Sequence, residues 1–517
     1  MTNTASDHWD AIVIGSGMGG LAAAAALSKA GHRVLLLEQY EALGGLSRSF
    51  SIEGFKWDPG IHYLNCLAPE DRERRILDWL SDKPIELESL GSIYDNLHIG
   101  DAAPLALTRP YAAQARDLKD RFPDETEAIE AWIAALKEGR EAAMKVTPTR
   151  AMPEFVGTAL KWWHGRDIDR WCKRTTREVI DEITNNSDLA AAFAAQWFDH
   201  GGRSSKASFA MHALITSSYL ESGAWYPKGG GEAFAEGLLP TIAKAGGEAR
   251  ASTRVETLLI EDDRVVGVRT SGGEDIRVDT VISSIGARET INHLLPPDCG
   301  HQDWIDDIRA LPHSVAHFAL FLGFEGDIAR AGATRSNHWI YPTGKVDVIW
   351  TDVPDTPPPG MFVTFASLKD AAHDPGPSQK YAAEIDAWTD WSVIEKWADM
   401  EPGARGDDYR AFKAGVEDAM FALFKRTFPE LADLVVFRSL STPLTTRDIT
   451  GHHKGAFYGI DTTPDRLMSE ALQTRTLIPG LFLAGQDVMT PGIPGALWGG
   501  ILAAATIDPK LFKLVPD

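Results

Sequence analysis

Gly15, Gly17 and Gly20 stand in the spacing G-x-G-x-x-G, and an acid, Glu38, follows eighteen residues after the last of them. Such a set binds a dinucleotide. The first glycine permits a tight turn, the second lets the main chain approach a pyrophosphate, and the third lets a helix pack closely on a strand. Ser16 lies inside the turn and is expected among the cofactor-binding residues. The N-terminus of the following helix offers free N–H groups and the positive end of its dipole to phosphate charge. The Glu38 carboxylate is placed to accept hydrogen bonds from an adenosine ribose, and its charge disfavours a 2′-phosphate there. A second glycine pair, Gly44 and Gly45, follows soon after.

The elements that must hold these residues surround them. Ala11 to Ile14 reads as a short apolar strand, Leu21 to Lys29 as a helix and Val34 to Leu37 as a second strand, a βαβ unit. A chain of 517 residues is long enough for two domains. Hydrophobic residues at 44% and charged residues at 24% exclude a disordered chain. A formal net charge of −22 and a pI near 5.1 argue against a nucleic-acid partner. Cys66, Cys172 and Cys299 are too scattered for a disulfide framework or a zinc site, which points to reduced thiols and a cytoplasmic protein. The first ten residues are polar and lack the basic and apolar regions of a secretory signal. Gly492 to Ile507, rich in glycine and interrupted by Pro494, suits a buried helix better than a membrane span.

Further along, Ala128 to Ala143 and Ser187 to Gln196 carry apolar residues at helical spacing. Ala251 to Glu261, Arg264 to Thr270 and Ile276 to Ser283 alternate like strands around turns at Asp262-Asp263 and Gly272-Gly273, a small β-meander. The pattern is α/β. Residues 1–100, 225–300 and 465–517 are expected to form a discontinuous Rossmann-type dinucleotide-binding domain. Residues 101–224 and 301–464 are expected to form an inserted, mixed α+β substrate domain.

Several segments resemble the phytoene desaturase, carotenoid isomerase and retinol saturase family of FAD enzymes. They are Gly44-Gly45, Trp57-Asp-Pro-Gly-Ile-His-Tyr63, Tyr226-Pro-Lys-Gly-Gly230 and Gly485-Gln-Asp487. Ser336 to Trp339, Ser367 to Asp370, Thr442 to Thr445 and Tyr458 to Asp461 look most like the retinol saturase branch. The resemblance implies a fold of the glutathione reductase and amine oxidase kind, with FAD as cofactor. By similarity, Gly15, Gly17 and Gly20 hold the pyrophosphate and Glu38 the adenosine ribose. Gly44 and Gly45 run along the ribityl side, and Val255 meets adenine through its backbone. Asp487, beside Gly485, bonds the ribityl chain or pyrophosphate. Gly495 and Ala496 open the last helix toward the flavin pyrimidine ring, where its N–H groups favour negative charge on reduced flavin. The wider amine oxidase pattern places an Arg directly after the glycine pair. Leu46 stands here instead, with Arg48 as a possible substitute.

The cofactor carries the hydride, and a change between C–C and C=C also moves a proton. The candidate acids or bases are His62, Tyr63, His200 and Tyr226; polar aromatics of this kind are more often hydrogen-bonded core residues, and His62 with Tyr63 leads because the resemblance puts that segment near the flavin. No metal site is expected, since no carboxylate–His spacing supports one. No second dinucleotide fingerprint is present, so the electron donor or acceptor is expected to be external. Between Arg140 and Arg177, nine Lys/Arg stand against four Asp/Glu, interleaved with Trp162, Trp163 and Trp171. That composition suits an amphipathic surface resting on anionic lipid, on the inner face of a membrane, or else a solvated helix face. The expected activity is that of an FAD oxidoreductase on carbon–carbon bonds of a long lipophilic substrate, as saturase or desaturase. A carotenoid cis–trans isomerase, a flavin amine oxidase and a non-catalytic lipid carrier are the alternatives.

Overall fold

The computed structural model describes residues 8–152 and 154–516. Part of the N-terminal stretch read above, residues 1–7, lies outside the described residues.

A five-stranded parallel sheet forms the first layer. Its order is Leu481–Leu483, Val281–Ser283, Ala11–Ile14, Val34–Leu37 and Glu248–Arg250. The inner strands are buried along their length and apolar except at Ser283, because both faces are covered, as parallel sheets require. Strands from three distant parts of the chain therefore meet in one sheet. Helix Met18–Lys29 crosses it and packs against helix Gly492–Ile507. The crossing is close enough that a Cβ on Gly500 would lie 2.3 Å from the Gly19 carbonyl oxygen. Gly492–Ile507 is a largely buried helix, and among the described residues no helix is long and apolar enough to cross a membrane.

The meander differs from the sequence reading in its third member. Val255–Glu261, Arg264–Thr270 and Asp275–Arg277 form a three-stranded antiparallel sheet. Val281–Ser283 leaves that sheet and enters the parallel one. Its three residues are all buried, whereas Asp275–Arg277 exposes its outer residues.

The second layer is a seven-stranded mixed sheet. Its order is Val435–Ser441, Ala316–Glu325, Lys380–Thr389, Met361–Thr364, Asn337–Tyr341, Ile93–Ile99 and Leu105–Thr108. Ile93–Ile99 pairs in parallel with Asn337–Tyr341, so this strand belongs to the second sheet although it precedes residue 100. Helices between Tyr111 and Ser222 cover one region of the fold. Thr126–Val146 and Phe209–Ser222 pack together at Gly139, where a Cβ would lie 2.8 Å from the Phe209 ring.

Candidate active site

A cavity of ≈ 1510 Å³ runs from the ends of strands Ala11–Ile14 and Val34–Leu37 to helices Thr126–Val146 and Phe209–Ser222. Its walls include Gly15, Gly17, Glu38, Gly45, Leu46, Arg48, Val255, Gly485, Gly495 and Ala496. Gly17 has φ −62° and ψ 173°, and a Cβ there would meet no protein atom within 4 Å. The helix it precedes has no side-chain cap and no acid in its first turn, so its N–H groups are left for an anion. Gly20 acts from behind the wall: a Cβ there would lie 1.9 Å from the Gly15 carbonyl oxygen. Ser284, also on the wall, has a buried hydroxyl with no partner among the described residues. The fit to a dinucleotide is close.

Glu38 is pinned in place. Its Oε2 accepts from the Ser16 backbone N–H at 2.9 Å and from Ser16 Oγ at 2.7 Å, and its Oε1 accepts from the Tyr40 N–H at 2.9 Å. Ser16 Oγ in turn accepts from the Gly44 N–H at 3.0 Å. Ser16 and Gly44 thus brace the ribose acid rather than line the cavity. The Arg48 guanidinium lies 3.7 Å from the centre of the Tyr40 ring, a cation–π contact.

His62 and Tyr63 both reach the cavity. His62 Nε2 lies 3.4 Å from Asp386 Oδ2, and Nδ1 lies 4.0 Å from Glu384 Oε2. On the far side His317 Nε2 is 3.8 Å from Asp386 Oδ1. Burial, then the Lys369 charge, lowers the His62 pKa to about 3, and burial lowers that of His317 to about 4, so both rings are neutral. Burial raises both carboxyls well above the usual range, and the charge of Asp386 raises Glu384 further. Among the described residues, His62, Glu384 and Asp386 are the one group whose atoms converge enough to hold an ion, within 4.8 Å of one another. Each imidazole nitrogen faces a different carboxyl, an arrangement that suits proton sharing better than one common ion.

The Tyr63 ring stacks on Tyr219 at 4.6 Å, and its hydroxyl contacts two acids, Asp199 Oδ2 at 2.7 Å and Asp95 Oδ2 at 3.0 Å. Beneath lies Lys369, fully buried, which donates to the His62 carbonyl at 2.7 Å, to Thr364 Oγ1 at 2.6 Å and to Asn337 Oδ1. Burial brings its pKa down to about 7, opposed by the charge of Asp95.

The structure does not bring the other predicted residues to the cavity. His200 is buried between Thr462 Oγ1 and His212 Nδ1, each at 3.1 Å. The Tyr226 hydroxyl donates to Asp58 Oδ2 at 2.6 Å, tying the Tyr-Pro-Lys segment to the one carrying His62. Asp487 accepts from the Ala287 N–H at 2.8 Å and the Ile460 N–H at 3.2 Å, so its carboxylate braces the wall behind Gly485. Asp199, Glu384 and Asp386 went unread in the sequence. Asp199 adjoins His200 in the short turn Trp197–His200, where neighbouring side chains diverge and only the structure shows which one faces inward.

Comparison with known proteins agrees with this geometry. The chain is 30% identical to a zebrafish (Danio rerio) all-trans-retinol 13,14-reductase, over 96% of this chain and 86% of that protein. It is 23% identical to the chloroplastic prolycopene isomerase of Daucus carota, over 98% of this chain and 81% of that protein. An oxidoreductase from Methanosarcina mazei has the same fold, with a TM-score of 0.65 at 16% identity, covering 95% of this chain and 98% of that one. The sequence profile described as flavin containing amine oxidoreductase matches residues 18–385. A flavin held in a dinucleotide cradle is FAD, and the chain is an FAD-dependent oxidoreductase. It belongs to the flavin containing amine oxidoreductase family.

Proposed function

We propose that the protein is a saturase that reduces a carbon–carbon double bond of a long, lipophilic polyene of the retinoid type. The observation that carries this reading is that one cavity is lined both by the dinucleotide-binding glycines and by Tyr63, Tyr219, Tyr458, Leu214 and Ile215. Flat, polarisable rings and aliphatic side chains suit a conjugated chain with little polarity. The likeness to retinol reductases over nearly the whole chain supports the same substrate class.

Bound FAD supplies the hydride chemistry. Gly15, Gly17 and the helix N-terminus at Met18 take the pyrophosphate, Glu38 the adenosine ribose and Val255 the adenine. Gly45, Leu46 and Arg48 flank the ribityl side. Gly485, Gly495 and Ala496 meet the flavin end. His62 and Tyr63 shape the wall against the substrate. The test is anaerobic turnover of all-trans-retinol by protein whose flavin has been chemically reduced. The expected product is heavier by two hydrogens. A product of unchanged mass with a new double-bond geometry would favour the second reading, a carotenoid isomerase, which the carrot relative supports.

The electrons come from an external donor. NADPH alone is expected to leave the flavin absorbance intact over the time of turnover, because the chain carries one dinucleotide fingerprint. Rapid, saturable bleaching by NADPH in stopped flow would contradict this.

The lipophilic substrate is taken from a membrane surface. Phe155, Trp162 and Trp163 on helix Glu154–Trp163 are 77%, 80% and 76% exposed. Phe155 and Trp162 are seven residues apart and share a face. The helix follows Thr147 and Pro148 on the cavity wall and rests on Thr149, where a Cβ on Gly157 would lie 3.4 Å from its carbonyl oxygen. The basic residues contribute less than their number suggests. Arg170, Lys173 and Arg174 pair with Glu138, Asp169 and Glu182. Burying one large apolar side chain is worth about 2 kcal/mol. Trp162→Ser with Trp163→Ser is therefore expected to weaken liposome binding by more than about tenfold, and reversing Arg170, Lys173 and Arg174 by less. Sedimentation with lipid vesicles checks this, and equal binding of the Trp variant and the parent would oppose it.

A further inference from the structure

We infer that Asp199 is the group that protonates the substrate, kept in its acid form by a hydrogen-bond arrangement centred on Tyr63. The inference rests on the saturase reading.

The Tyr63 hydroxyl lies 2.7 Å from Asp199 Oδ2 and 3.0 Å from Asp95 Oδ2. A phenol has one proton to donate. It cannot satisfy two carboxylates, so one of the two carboxyls carries a proton and donates it to the phenol oxygen. Asp95 is the ionised one. Its Oδ1 accepts from Asn337 Nδ2 at 2.9 Å, and its Oδ2 from Gln196 Nε2 at 2.8 Å. Lys369 stands behind Asn337 and donates to its Oδ1. Asp199 has no such support: among the described residues, its carboxyl meets the Tyr63 hydroxyl and no other side-chain donor. Burial, and then the charge of Asp95, push Asp199 well above the usual carboxylate range. Burial raises Asp95 as well, but there hydrogen bonds from Asn337, Trp339, Tyr63 and Gln196 oppose it.

The two acids also differ in reach. Asp95 is wholly buried, whereas Asp199 lies on the cavity wall with Tyr219, Ile215 and Tyr458. The protonated member of the pair is the one a substrate can touch. His62 reaches the same cavity, but its ring is neutral, and a neutral imidazole is a poor proton donor beside a carboxylic acid.

The step balances as follows. The Asp199 O–H bond breaks, and its proton forms a C–H bond at the alkene carbon that does not receive the hydride. The hydride, with its electron pair, comes from the reduced flavin, which an external two-electron donor restores. The Asp199 carboxylate accepts a hydrogen bond from Tyr63 until water in the cavity reprotonates it.

Asp199→Asn keeps the shape and removes the acidic proton. Holoprotein is compared by infrared difference spectroscopy near pH 8, with flavin absorbance and melting temperature as controls for folding. The expected result is loss of one carboxylic-acid carbonyl band in the variant, with FAD retained. All-trans-retinol turnover is expected to fall by about 10²-fold or more, and Asp199→Glu is expected to recover part of it. If no carboxylic-acid band is lost, or if Asp199→Asn turns over within a few-fold of the parent, the inference is overturned. If the parent shows the band but does not saturate the polyene, the saturase reading fails, and the proton step falls with it. The acid form of Asp199 then stands as a separate finding.

Discussion

Gly17→Val is expected to give a folded protein that cannot hold FAD. The purified variant should be colourless, and added FAD should not restore the flavin spectrum. The backbone at Gly17 is extended, with φ −62° and ψ 173°, a conformation a β-branched residue adopts readily. A Cβ there has no protein atom within 4 Å, so the protein itself does not oppose the substitution. The new side chain enters the space where the turn and the uncapped helix N-terminus face a pyrophosphate. Gly20 gives the contrasting case. A Cβ at Gly20 would lie 1.9 Å from the Gly15 carbonyl oxygen, so Gly20→Ala is expected to damage folding as well as binding. Two glycines of one motif thus separate cofactor binding from packing. Thermal melting of the two variants without FAD, beside flavin absorbance, checks the separation. A yellow Gly17→Val protein would remove the glycine turn as the FAD site.

The dinucleotide site is legible in the sequence because its parts are local. The three glycines, the helix they open and Glu38 lie within one βαβ unit, and each demands a residue type that few other arrangements need. His62 and Tyr63 are legible through the segment that carries them. The acids are not. Strand Lys380–Thr389 reads KYAAEIDAWT, with Glu384 and Asp386 alternating with apolar residues, the pattern of a strand with one face in water. The structure buries both faces, because the Glu384–Asp386 side lies against His62 and His317 from remote parts of the chain. Asp95 and Asp199 show the same limit. Each looks like an ordinary surface acid until Tyr63 brings them together. Burial of a charge-bearing residue is a property of the assembled layers, and alternation along one strand does not report it.

Glu384→Gln is expected to become more stable relative to the parent as pH rises. Glu384 and Asp386 are both buried, and the imidazoles beside them are neutral, with pKa values of about 3 for His62 and about 4 for His317. Among the described residues no Lys or Arg pairs with either carboxyl, and burial raises both acids well above the usual range. The folded chain therefore keeps protons that the unfolded chain gives up above its ordinary carboxylate pKa of about 4. Below that pH both states are protonated, and the pair has no effect on stability. Above it the unfolded state binds fewer protons, so stability falls as pH rises, until the raised native value is reached. The slope is about 1.4 kcal/mol per pH unit for each retained proton. Glu384→Gln keeps the shape and removes one of those protons, so the parent should lose stability that the variant keeps. Asp386→Asn should behave alike, and the pair titrates as a unit rather than as two separate groups. Urea unfolding of both proteins at several pH values between about 5 and 8, with equal m-values, measures the difference directly. A difference that stays flat with pH would mean that the native pair is ionised. Its charge would then be met by a cation held between His62, Glu384 and Asp386, which metal analysis before and after chelation would detect.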